Sequence, residues 1–476
     1  MTRPFAAPRP ASYAPMPKPI RTRRSANTDL PPGPTGFPGA LTLRFLRDTP
    51  AFLLDLQTTY GDTASFFLNG ELFVAFFGPD GVVDVTVKKQ NSFVKGVGFD
   101  RMRKVLGTGL LTNEEPIHLR HRRMMQPPFH HGKLGDYATL MHSITRDHLA
   151  GWSDGQSVQA NHEMMRLTFQ IVAQLLFGTE IDRYAEGVQH HMGLAIDRIE
   201  RTMLPGMKAF DRSPIPYFKK FEQSSDYLAD VADDIIARRV SGAAAGGELG
   251  DDLLGLLLAA RDEDNSALSH DEVRDETLTL ILSGHETTAN VMTWALCYLR
   301  DRVDLWDALA AEAELLLPAG GELDVRAILS APTAKAIMAE ALRLAPPVWV
   351  APRRAIEDVE VAGVQVPKGA HVLVSQYASH RSAVYFDDPD AFRPERWHGD
   401  FEASLPRGAY FPFGAGTRKC LGDQFALLES HIILMELART ARPVPVSPTL
   451  PKAEPRATYR PAGGVPSVVR RRSVSV

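Results

Sequence analysis

The spacing of apolar residues along the chain predicts a largely helical molecule. Apolar side chains recur at the 3.6-residue period of an amphipathic helix through Lys133–Trp152, His162–Phe177, Phe218–Arg239 and His270–Asp301. The segment Ser241–Gly250 reads SGAAAGGELG, and we interpret it as a flexible connection between helices, because helical patterning resumes directly after it. The middle of the chain is therefore expected to be a helical body.

Shorter apolar runs predict a few strands towards the two ends of the chain. Thr63–Leu68 and Leu72–Phe77 have the length and composition of a strand hairpin. Strand-like runs return at Val359–Val364, His371–Val374 and Arg456–Tyr459. The predicted fold class is mainly α with small β regions.

The composition is that of an ordinary globular protein and excludes several other classes. Of the 476 residues, 44% are hydrophobic and 23% are charged, which excludes a fibrous or wholly disordered chain. There are 53 lysines and arginines against 57 aspartates and glutamates, a net charge of -4. A nucleic acid is not an expected partner, because phosphate binding normally requires a strong basic surplus.

The cysteine content and the N-terminal segment suggest where the protein works. Only Cys297 and Cys420 are present, which excludes a disulfide framework and a multi-cysteine metal site, and we expect a reducing, cytoplasmic location. No apolar run approaches the ~18 residues of a membrane span. The basic, proline-rich segment Met1–Asp29 is predicted to be a disordered tail, with weak binding to a membrane surface or a partner as the alternative.

The segment Tyr410–Glu429 joins a glycine-bearing loop to an apolar-periodic helix, with Cys420 at the junction. Partial positive charge at a helix N-terminus favours a thiolate there, which suits a metal ligand. Gly414 and Gly416 permit a backbone with positive φ around the sulfur. We also expect Gly422 to let the helix pack against a flat cofactor, and Arg418 to reach an anionic group on that cofactor. The simpler interpretation is an inert core cysteine beside a helix.

These positions resemble the haem-binding signature of the cytochrome P450 family, Phe-x-x-Gly-x-Arg-x-Cys-x-Gly. The matching residues are Phe413, Gly416, Arg418, Cys420 and Gly422. The resemblance implies haem b (iron protoporphyrin IX) as the cofactor and Cys420 as the thiolate ligand of its iron.

A second motif places Glu340 and Arg343 three residues apart on one helix face, where their side chains can pair. Such pairs are common, and alone this one has no functional meaning. It resembles the Glu-x-x-Arg of the same family, which forms a buried network with an arginine of a later Phe-x-Pro-x-Arg segment, here Arg396 of Phe392–Arg396. The resemblance implies a structural role for this network.

A third motif, Ser283–Thr288, places polar residues in the long apolar helix, where they are costly unless they are used. Gly284 leaves room for a ligand, and Thr287 can bond a carbonyl one turn earlier or a water molecule. A metalloprotease motif is excluded, because residue 289 is alanine. The segment resembles the family's oxygen-activation motif, with Ser283 a departure at its first position. The resemblance implies that Glu286 and Thr287 relay protons to dioxygen.

A fourth motif follows Pro116, where His118 and Arg122 lie four residues apart on one helix face and could clamp a carboxylate. In the family this helix bonds the haem propionates. The resemblance also assigns a propionate contact to Arg353, with Arg354 as a credible substitute.

Together the motifs and their flanks extend from Leu30 to Arg470 in matching order. The resemblance therefore implies one triangular, mainly α-helical domain over residues 30–470, between the tail at 1–29 and a short C-terminal tail at 471–476. Haem would lie between the long helix and the helix after Cys420.

The resemblance implies a haem-thiolate monooxygenase that inserts one oxygen atom of O2 into a C–H bond. Apolar segments at Phe93–Leu106 and Val348–Val350 suggest a lipophilic substrate. The sequence around Cys420 is similar to a bacterial branch that includes carotenoid-ring hydroxylases, which favours a carotenoid or other isoprenoid, with a fatty acid as the alternative. A non-catalytic haem-binding gas sensor is the alternative of another class, and the Glu286–Thr287 pair argues against it.

The chain has no flavin or iron–sulfur motif, so electrons are expected from a separate ferredoxin or flavodoxin. We predict that an acidic donor docks beside the cysteine loop on a basic patch. The predicted patch consists of Arg120, Arg123, Arg407 and Lys419.

Overall fold

The computed structural model describes residues 30–35, 38–96, 98–129, 131–178, 183–202, 216–318, 320 and 322–472. The predicted disordered tail, Met1–Asp29, lies outside these residues, as do residues 473–476 of the predicted C-terminal tail.

Helices dominate the described chain. They are α1 (Pro38–Arg47), α2 (Thr49–Tyr60), α3 (Pro79–Val83), α4 (Phe99–Leu106), α5 (Ile117–Met125), α6 (His131–Ala150), α7 (Ala160–Phe177), α8 (Ala185–Thr202), α9 (Pro216–Ala244), α10 (Leu253–Ala259), α11 (His270–Tyr298), α12 (Val303–Leu316), α13 (Val325–Leu329), α14 (Pro332–Leu344), α15 (Gln376–Ser379), α16 (Phe401–Ser404) and α17 (Asp423–Arg439). The fold class predicted from the sequence, mainly α with small β regions, is confirmed.

The strands are short and form small sheets. They are β1 (Thr63–Leu68), β2 (Glu71–Phe76), β3 (Phe93–Lys95), β4 (Ser157–Gln159), β5 (Ala351–Ala355), β6 (Val359–Val361), β7 (Val364–Val366), β8 (His371–Val374), β9 (Ala441–Pro445), β10 (Ala453–Pro455), β11 (Tyr459–Pro461) and β12 (Pro466–Arg471). The largest sheet has the order β1-β2-β8-β5-β3, in which β2 and β8 are parallel and the other neighbours antiparallel. It brings β3 and β5, far apart in sequence, to one edge.

The long helix α11 passes through the main core. It begins with a capping box, in which the Ser269 hydroxyl accepts from the Glu272 backbone N–H and the Glu272 carboxylate accepts from the Ser269 N–H. Beyond its first turn most of its residues are buried, and α7 packs along it. This helix was predicted to extend to Asp301 and ends at Tyr298.

Helix α17 follows the cysteine loop and packs against α6, α12, α13 and α14. Its apolar side chains join those of α11 in the same buried cluster. The two helices therefore share one apolar core next to the cysteine loop.

The structure corrects three predictions made from local pattern. Helix α9 continues to Ala244, so Ser241–Gly250 is helical in its first part. Val359–Val364 contains a hairpin, in which Ala362 and Gly363 take positive φ of 46° and 78° between β6 and β7. Arg456–Tyr459, predicted as a strand, contains the turn between β10 and β11.

The folded body also extends slightly beyond the expected boundary at residue 470. Arg471 pairs with Ala441 in the last sheet, and the Arg472 N–H donates to the Thr440 carbonyl. Within the described ranges, no helix is long and apolar enough to cross a bilayer.

Candidate cofactor and active site

An internal cavity of about 360 Å³ lies between the middle of α11 and the loop that carries Cys420. Most of the site residues predicted from the sequence line it. They are Gly284, Thr287, Phe413, Arg418, Cys420, Gly422, His118, Arg122 and Arg353. Gly416, Glu286 and the network of Glu340, Arg343 and Arg396 lie outside the lining.

The loop before Cys420 is held in a tight backbone turn. Gly414 and Gly416 have φ of 71° and 72°, so the expected positive-φ backbone is confirmed. A Cβ on Gly416 would lie 1.8 Å from the Thr86 carbonyl oxygen, so this glycine lets the loop pack closely against the backbone at Thr86. The Cys420 N–H donates to the Phe413 carbonyl at 2.9 Å. These contacts fix the backbone at Cys420.

The surroundings of the two cysteines differ. Cys420 is exposed and lines the cavity. Cys297 is buried in the apolar core on α11, and burial raises its thiol pKa to about 12. Of the two, only Cys420 lines the cavity.

The loop favours a thiolate at Cys420 as expected, but burial of the sulfur has the larger effect on its pKa. Burial raises the pKa of the Cys420 thiol to about 11, and this outweighs the Gly422 backbone N–H and the charges of Arg122 and Lys419, which lower it. A cysteine in these surroundings stays protonated on its own. A bound metal cation would deprotonate it directly.

On the other side of the cavity, α11 presents small and hydroxyl-bearing residues. The Thr287 hydroxyl donates to the Ser283 carbonyl at 2.8 Å, as the sequence suggested for a carbonyl one turn earlier. A Cβ on Gly284 would lie 2.8 Å from a methyl group of Val172 on α7, so this glycine also permits the helices to pack closely. Thr287 and Thr288 line the cavity.

Glu286 faces away from the cavity. It is 5% exposed, and its Oε1 accepts from the Thr458 hydroxyl at 2.6 Å, in the turn between β10 and β11. The Asn290 side-chain amide donates to the same hydroxyl at 3.0 Å. The carboxylate predicted to relay protons is therefore hydrogen-bonded behind α11.

One end of the cavity is lined by basic side chains. They are Lys95, His118, Arg122, Arg353 and Arg418. Burial, with the charges of Arg418 and Lys95, lowers the pKa of His118 to about 3, so its imidazole is neutral at pH 7. Burial and Arg418 also lower the pKa of Arg353, to about 10. Two acids face this group: Glu114 pairs with Arg418, and Glu115 Oε1 lies 2.9 Å from His118 Nδ1. Positive charge therefore exceeds negative charge here.

Two adjacent arginines, Arg353 and Arg354, were candidates for contact with a haem propionate. Both lie on β5, but on opposite faces of the strand. Arg353 lines the cavity, whereas Arg354 lies on the opposite face of the strand, with Nη2 3.0 Å from the His371 ring nitrogen Nε2. Successive side chains of a strand point to opposite faces, which explains the difference.

The lining fits haem b. Its apolar surface can accept the porphyrin, the basic end two propionates, and the Cys420 sulfur the iron. The Gln376 side chain, 2% exposed, also lines the cavity, and its Oε1 has no hydrogen-bond partner among the described residues. An amide oxygen is an acceptor and cannot bond a propionate, so the fit rests on the basic donors and on the Cys420 sulfur.

The network predicted around Glu340 is assembled behind the cysteine loop. Glu340 and Arg343 are fully buried and form a two-contact ion pair, with distances of 2.8 and 2.9 Å. Arg396 Nε and Trp397 Nε1 donate to the same carboxylate at 3.1 and 2.8 Å. Arg343 also donates to the His380 carbonyl at 3.0 Å. The network thereby joins α14 to the segment that leads to the loop.

The basic patch proposed for an electron donor is partly neutralised. Arg120 pairs with Asp262 and Glu272, and Arg123 pairs with Asp262. Lys419 pairs with Asp423, although about half of the Lys419 side chain is exposed. Arg407 is exposed.

Local sequence identified only some of the apolar lining. Phe99, Val348 and Val350 line the cavity as predicted, but Trp349 faces the second apolar cluster and its indole N–H donates to the Arg456 carbonyl at 2.9 Å. Phe93 lies in the core rather than the lining, and Val97 lies outside the described residues.

Sequence reasoning also missed residues that line or support the cavity. They are Lys95, Glu114, His121, Val172, Leu280, Val291 and Gln376. Nothing in their local sequence distinguishes them from core residues, because only the tertiary fold brings them together.

Comparison with known proteins agrees with this geometry. The sequence model of the family described as "Cytochrome P450" matches residues 31–448. The chain is 30% identical to cyclooctatin synthase of Streptomyces melanosporofaciens over 437 residues, 91% of this chain and 94% of that protein. It is 33% identical to cyclooctat-9-en-7-ol 5-monooxygenase of the same organism over 74% of this chain and 77% of that protein.

It is also 32% identical to pentalenene oxygenase of Streptomyces avermitilis over 71% of this chain and 74% of that protein. Among solved structures, the one described as "Retinoic acid bound cyanobacterial CYP120A1" superposes with a TM-score of 0.81 at 26% identity, over 93% of this chain and 99% of that chain.

Proposed function

This chain belongs to the cytochrome P450 family and is a haem b-dependent monooxygenase, and we propose that it hydroxylates an apolar terpenoid without an ionised group. One observation carries the proposal. Among the described lining residues, the charged side chains lie at the basic end and in the cysteine loop, and the rest of the lining is apolar or neutral. A terpene skeleton would gain affinity by burying apolar area, without leaving a charge unpaired.

The names of these relatives support this substrate class. Cyclooctat-9-en-7-ol and pentalenene are cyclic terpenoids, and this chain covers most of the two proteins named for acting on them. The carotenoid expected from the sequence is a longer molecule of the same chemical class and remains a candidate substrate. A fatty acid is the weaker candidate, because its carboxylate requires a cation, and the cations of the lining suit the cofactor.

When bound, a thiolate-ligated haem supplies the cleavage of O2 and the insertion of one oxygen atom into a C–H bond. We assign the iron ligand to the Cys420 sulfur, and the propionate contacts to His118, Arg122, Arg353 and Arg418. His118 is neutral, so it contributes a hydrogen-bond donor rather than a charge. The other three contribute charge-assisted hydrogen bonds.

We assign proton transfer at the reacting oxygen to the Thr287 hydroxyl, which lies at the cavity surface. By rotating about χ1 away from the Ser283 carbonyl, this hydroxyl could donate into the cavity. Glu286 would replenish the proton only after its carboxylate leaves Thr458 behind α11 and turns towards the cavity. Gly284 lines the cavity without a side chain, which keeps the helix surface low near Thr287.

Electrons would come from a separate ferredoxin or flavodoxin in the cytoplasm. The exposed basic side chains Arg407 and Lys419 flank the cysteine loop and suit an acidic donor. Because several other basic side chains of this region already pair with acids, we expect a weak and strongly salt-dependent complex.

The test combines substrate binding and turnover. Haem-loaded protein, with surrogate ferredoxin and ferredoxin reductase, is given pentalenene, a cyclic diterpene olefin, a carotenoid and a fatty acid. We expect a substrate-induced spin-state change and a product heavier by one oxygen atom with at least one of the terpenoids. Turnover of the fatty acid alone would contradict the substrate proposal and leave the monooxygenase assignment intact.

The ligand assignment is tested separately with the two cysteines as a matched pair. Cys420→Ala should abolish the thiolate-type spectrum of the carbon monoxide complex, whereas Cys297→Ala should retain it. The opposite result would show that Cys420 is not the ligand.

A further inference from the structure

A fully buried imidazole joins helix α5 to the first turns of α11. His121 Nδ1 lies 2.6 Å from Glu276 Oε1, and its Nε2 lies 3.1 Å from Glu272 Oε1. The two carboxylates are one helical turn apart on α11. Glu276 is also fully buried, so the charged imidazole separates two acids that would otherwise repel each other.

The acids of α11 also hold the backbone of a neighbouring loop, which we name the clamped loop, Gly107–Asn113. Glu276 Oε2, the oxygen not used by His121, accepts from the Leu110 N–H at 2.9 Å. Asp275 Oδ2 accepts from the Thr108 N–H at 2.7 Å. Each of these bonds joins a charged group to a backbone donor.

The carbonyls of the same loop are held from another element. Lys95 on β3 donates to the carbonyls of Leu110, Leu111 and Asn113 at 3.0, 2.6 and 2.7 Å. Lys95 is 6% exposed, so its amine is hydrogen-bonded almost entirely by the loop, although burial and the charge of Arg418 lower its pKa. Acids therefore hold the N–H groups of the clamped loop, and a base holds its carbonyls.

The clamped loop also lies too close to α11 to shift easily. A Cβ on Gly107, where φ is 56°, would lie 2.0 Å from the Asp275 carboxylate. A Cβ on Gly109 would lie 2.3 Å from the Thr279 hydroxyl oxygen. Meanwhile the side chains of Leu110 and Leu111 line the cavity.

We propose that His121 is a positioning residue, which fixes Glu276 and through it the clamped loop, so that Leu110 and Leu111 form a preset wall of the substrate site. Substrates are then selected by shape against this wall, and the loop does not open and close over them. This inference rests on the proposed function, because it concerns the substrate side of the same cavity.

The geometry explains why His121 matters more than an ordinary packing residue. Without the imidazole, Glu276 loses its cation and faces Glu272 one turn away, whose remaining cation is Arg120. Glu276 would turn away, and the Leu110 N–H would lose its acceptor. Arg120 also pairs with Glu272 but does not contact Glu276, which makes it a control for general charge effects on α5.

The experiment compares His121→Gln with Arg120→Gln in the haem-loaded protein. Two ligands of haem iron serve as probes, the small imidazole and the bulky clotrimazole, titrated optically. For His121→Gln we expect the dissociation constant of clotrimazole to change ~10-fold or more and that of imidazole to stay within ~2-fold. Hydrogen exchange of a peptide covering the clamped loop should accelerate ~10-fold or more. Arg120→Gln should leave all three near the wild-type values.

Equal clotrimazole binding and equal exchange in His121→Gln and wild type would overturn the inference. If His121→Gln fails to fold, hydrogen exchange of the wild-type protein still tests the inference. Fast exchange of the clamped loop in the wild type would overturn the inference. Glu276→Gln is a second variant, which removes the charge but keeps the acceptor for Leu110. Failure of the proposed function has a different signature, namely loss of the thiolate-type carbon monoxide spectrum in the wild-type protein itself.

Discussion

At the scale of the residue, a single step along β5 separates two arginines with different surroundings. Arg353 lines the cavity, and Arg354 lies beside His371 on the other face of the strand. The sequence left the choice between them open, because strand register depends on pairing with β8 and not on the residues themselves. The same pair therefore offers a matched test.

We predict that Arg353→Leu increases the rate of haem transfer to apomyoglobin ~10-fold or more, because a charge-assisted bond to a propionate is lost. Arg354→Leu should stay within ~2-fold of the wild type. If Arg354→Leu loses haem faster than Arg353→Leu, the propionate contact is assigned to the wrong residue.

We predict that Thr287→Ala retains haem and substrate binding but lowers product formation ~10-fold or more, with the consumed electrons appearing as peroxide. Thr287→Ser keeps the hydroxyl and should restore most of the coupling. The measurement is product formed per electron pair consumed. Unchanged coupling in the alanine variant would remove Thr287 from the proton path.

We predict that His121 makes stability depend on pH in the alkaline range. Although burial lowers the pKa of His121, its hydrogen bonds to Glu272 and Glu276 raise it from 6.5 to about 9. A raised pKa stabilises the folded state fully below pH 6.5, and this contribution is lost as pH rises through 9. Its full size is about 3 kcal/mol.

Urea unfolding at several pH values measures this contribution. The difference in unfolding free energy between wild type and His121→Gln should be largest near pH 6, fall between pH 6.5 and 9, and level off above pH 9. On the acid side, the hydrogen bond from His121 lowers the pKa of Glu272 to about 2, so the same interaction weakens only below pH 4.5. A pH-independent difference would contradict this account.

At the scale of the element, α14 and the segment after it are joined by one buried carboxylate. Glu340 accepts hydrogen bonds from Arg343, Arg396 and Trp397. The Tyr410 hydroxyl donates to the Ala339 carbonyl at 2.9 Å, so the start of the cysteine loop is fixed to the same helix. Stability and cofactor binding should therefore depend on each other here.

We predict that Glu340→Gln lowers the free energy of unfolding by ~3–5 kcal/mol, because it leaves Arg343 buried without its counter-ion. Glu395→Gln, in the same short segment, removes an exposed ion pair with Arg302 and should cost less than ~1 kcal/mol. Chemical unfolding of both variants checks the contrast, and equal losses would mean that the network is not specially stabilising.

Elements with a strong local pattern could be predicted from the sequence, and contacts between elements could not. The predicted first residues of α7 and α11 lie within two residues of the observed ones, and both bounds of β1 and β8 agree with the structure. Trp349 was assigned to the substrate, but its indole bonds a carbonyl of a hairpin far along the chain. The loop lowers the pKa of Cys420 as expected, but the sequence could not show that burial, which depends on the whole fold, raises it more.

At the scale of the whole molecule, the slight net charge of -4 conceals a strong local separation of charge. Lys95, Arg353 and Arg418 lie at one end of the cavity with Glu114 as their acid, whereas the acids of α11 gather behind the clamped loop. Without the two propionates, the basic end would be self-repelling.

We therefore predict that removing haem makes stability more dependent on salt. Raising the ionic strength from about 0.01 M to about 0.15 M shortens the Debye length from ~30 Å to ~8 Å and should raise the melting temperature of the apoprotein more than that of the haem-loaded protein. Thermal melts of both forms at two salt concentrations test this. An equal salt effect would mean that the basic end is already balanced within the protein.

The clamped loop has a consequence for redesigning this enzyme. Its backbone is held by partners that belong to other elements, and Gly107 and Gly109 have no room for a Cβ. Libraries that randomise the whole loop would therefore consist mostly of unfolded proteins. Libraries confined to Leu110 and Leu111 would keep the scaffold and vary only the surface that the substrate meets, so that each surviving variant becomes a measurement of shape preference.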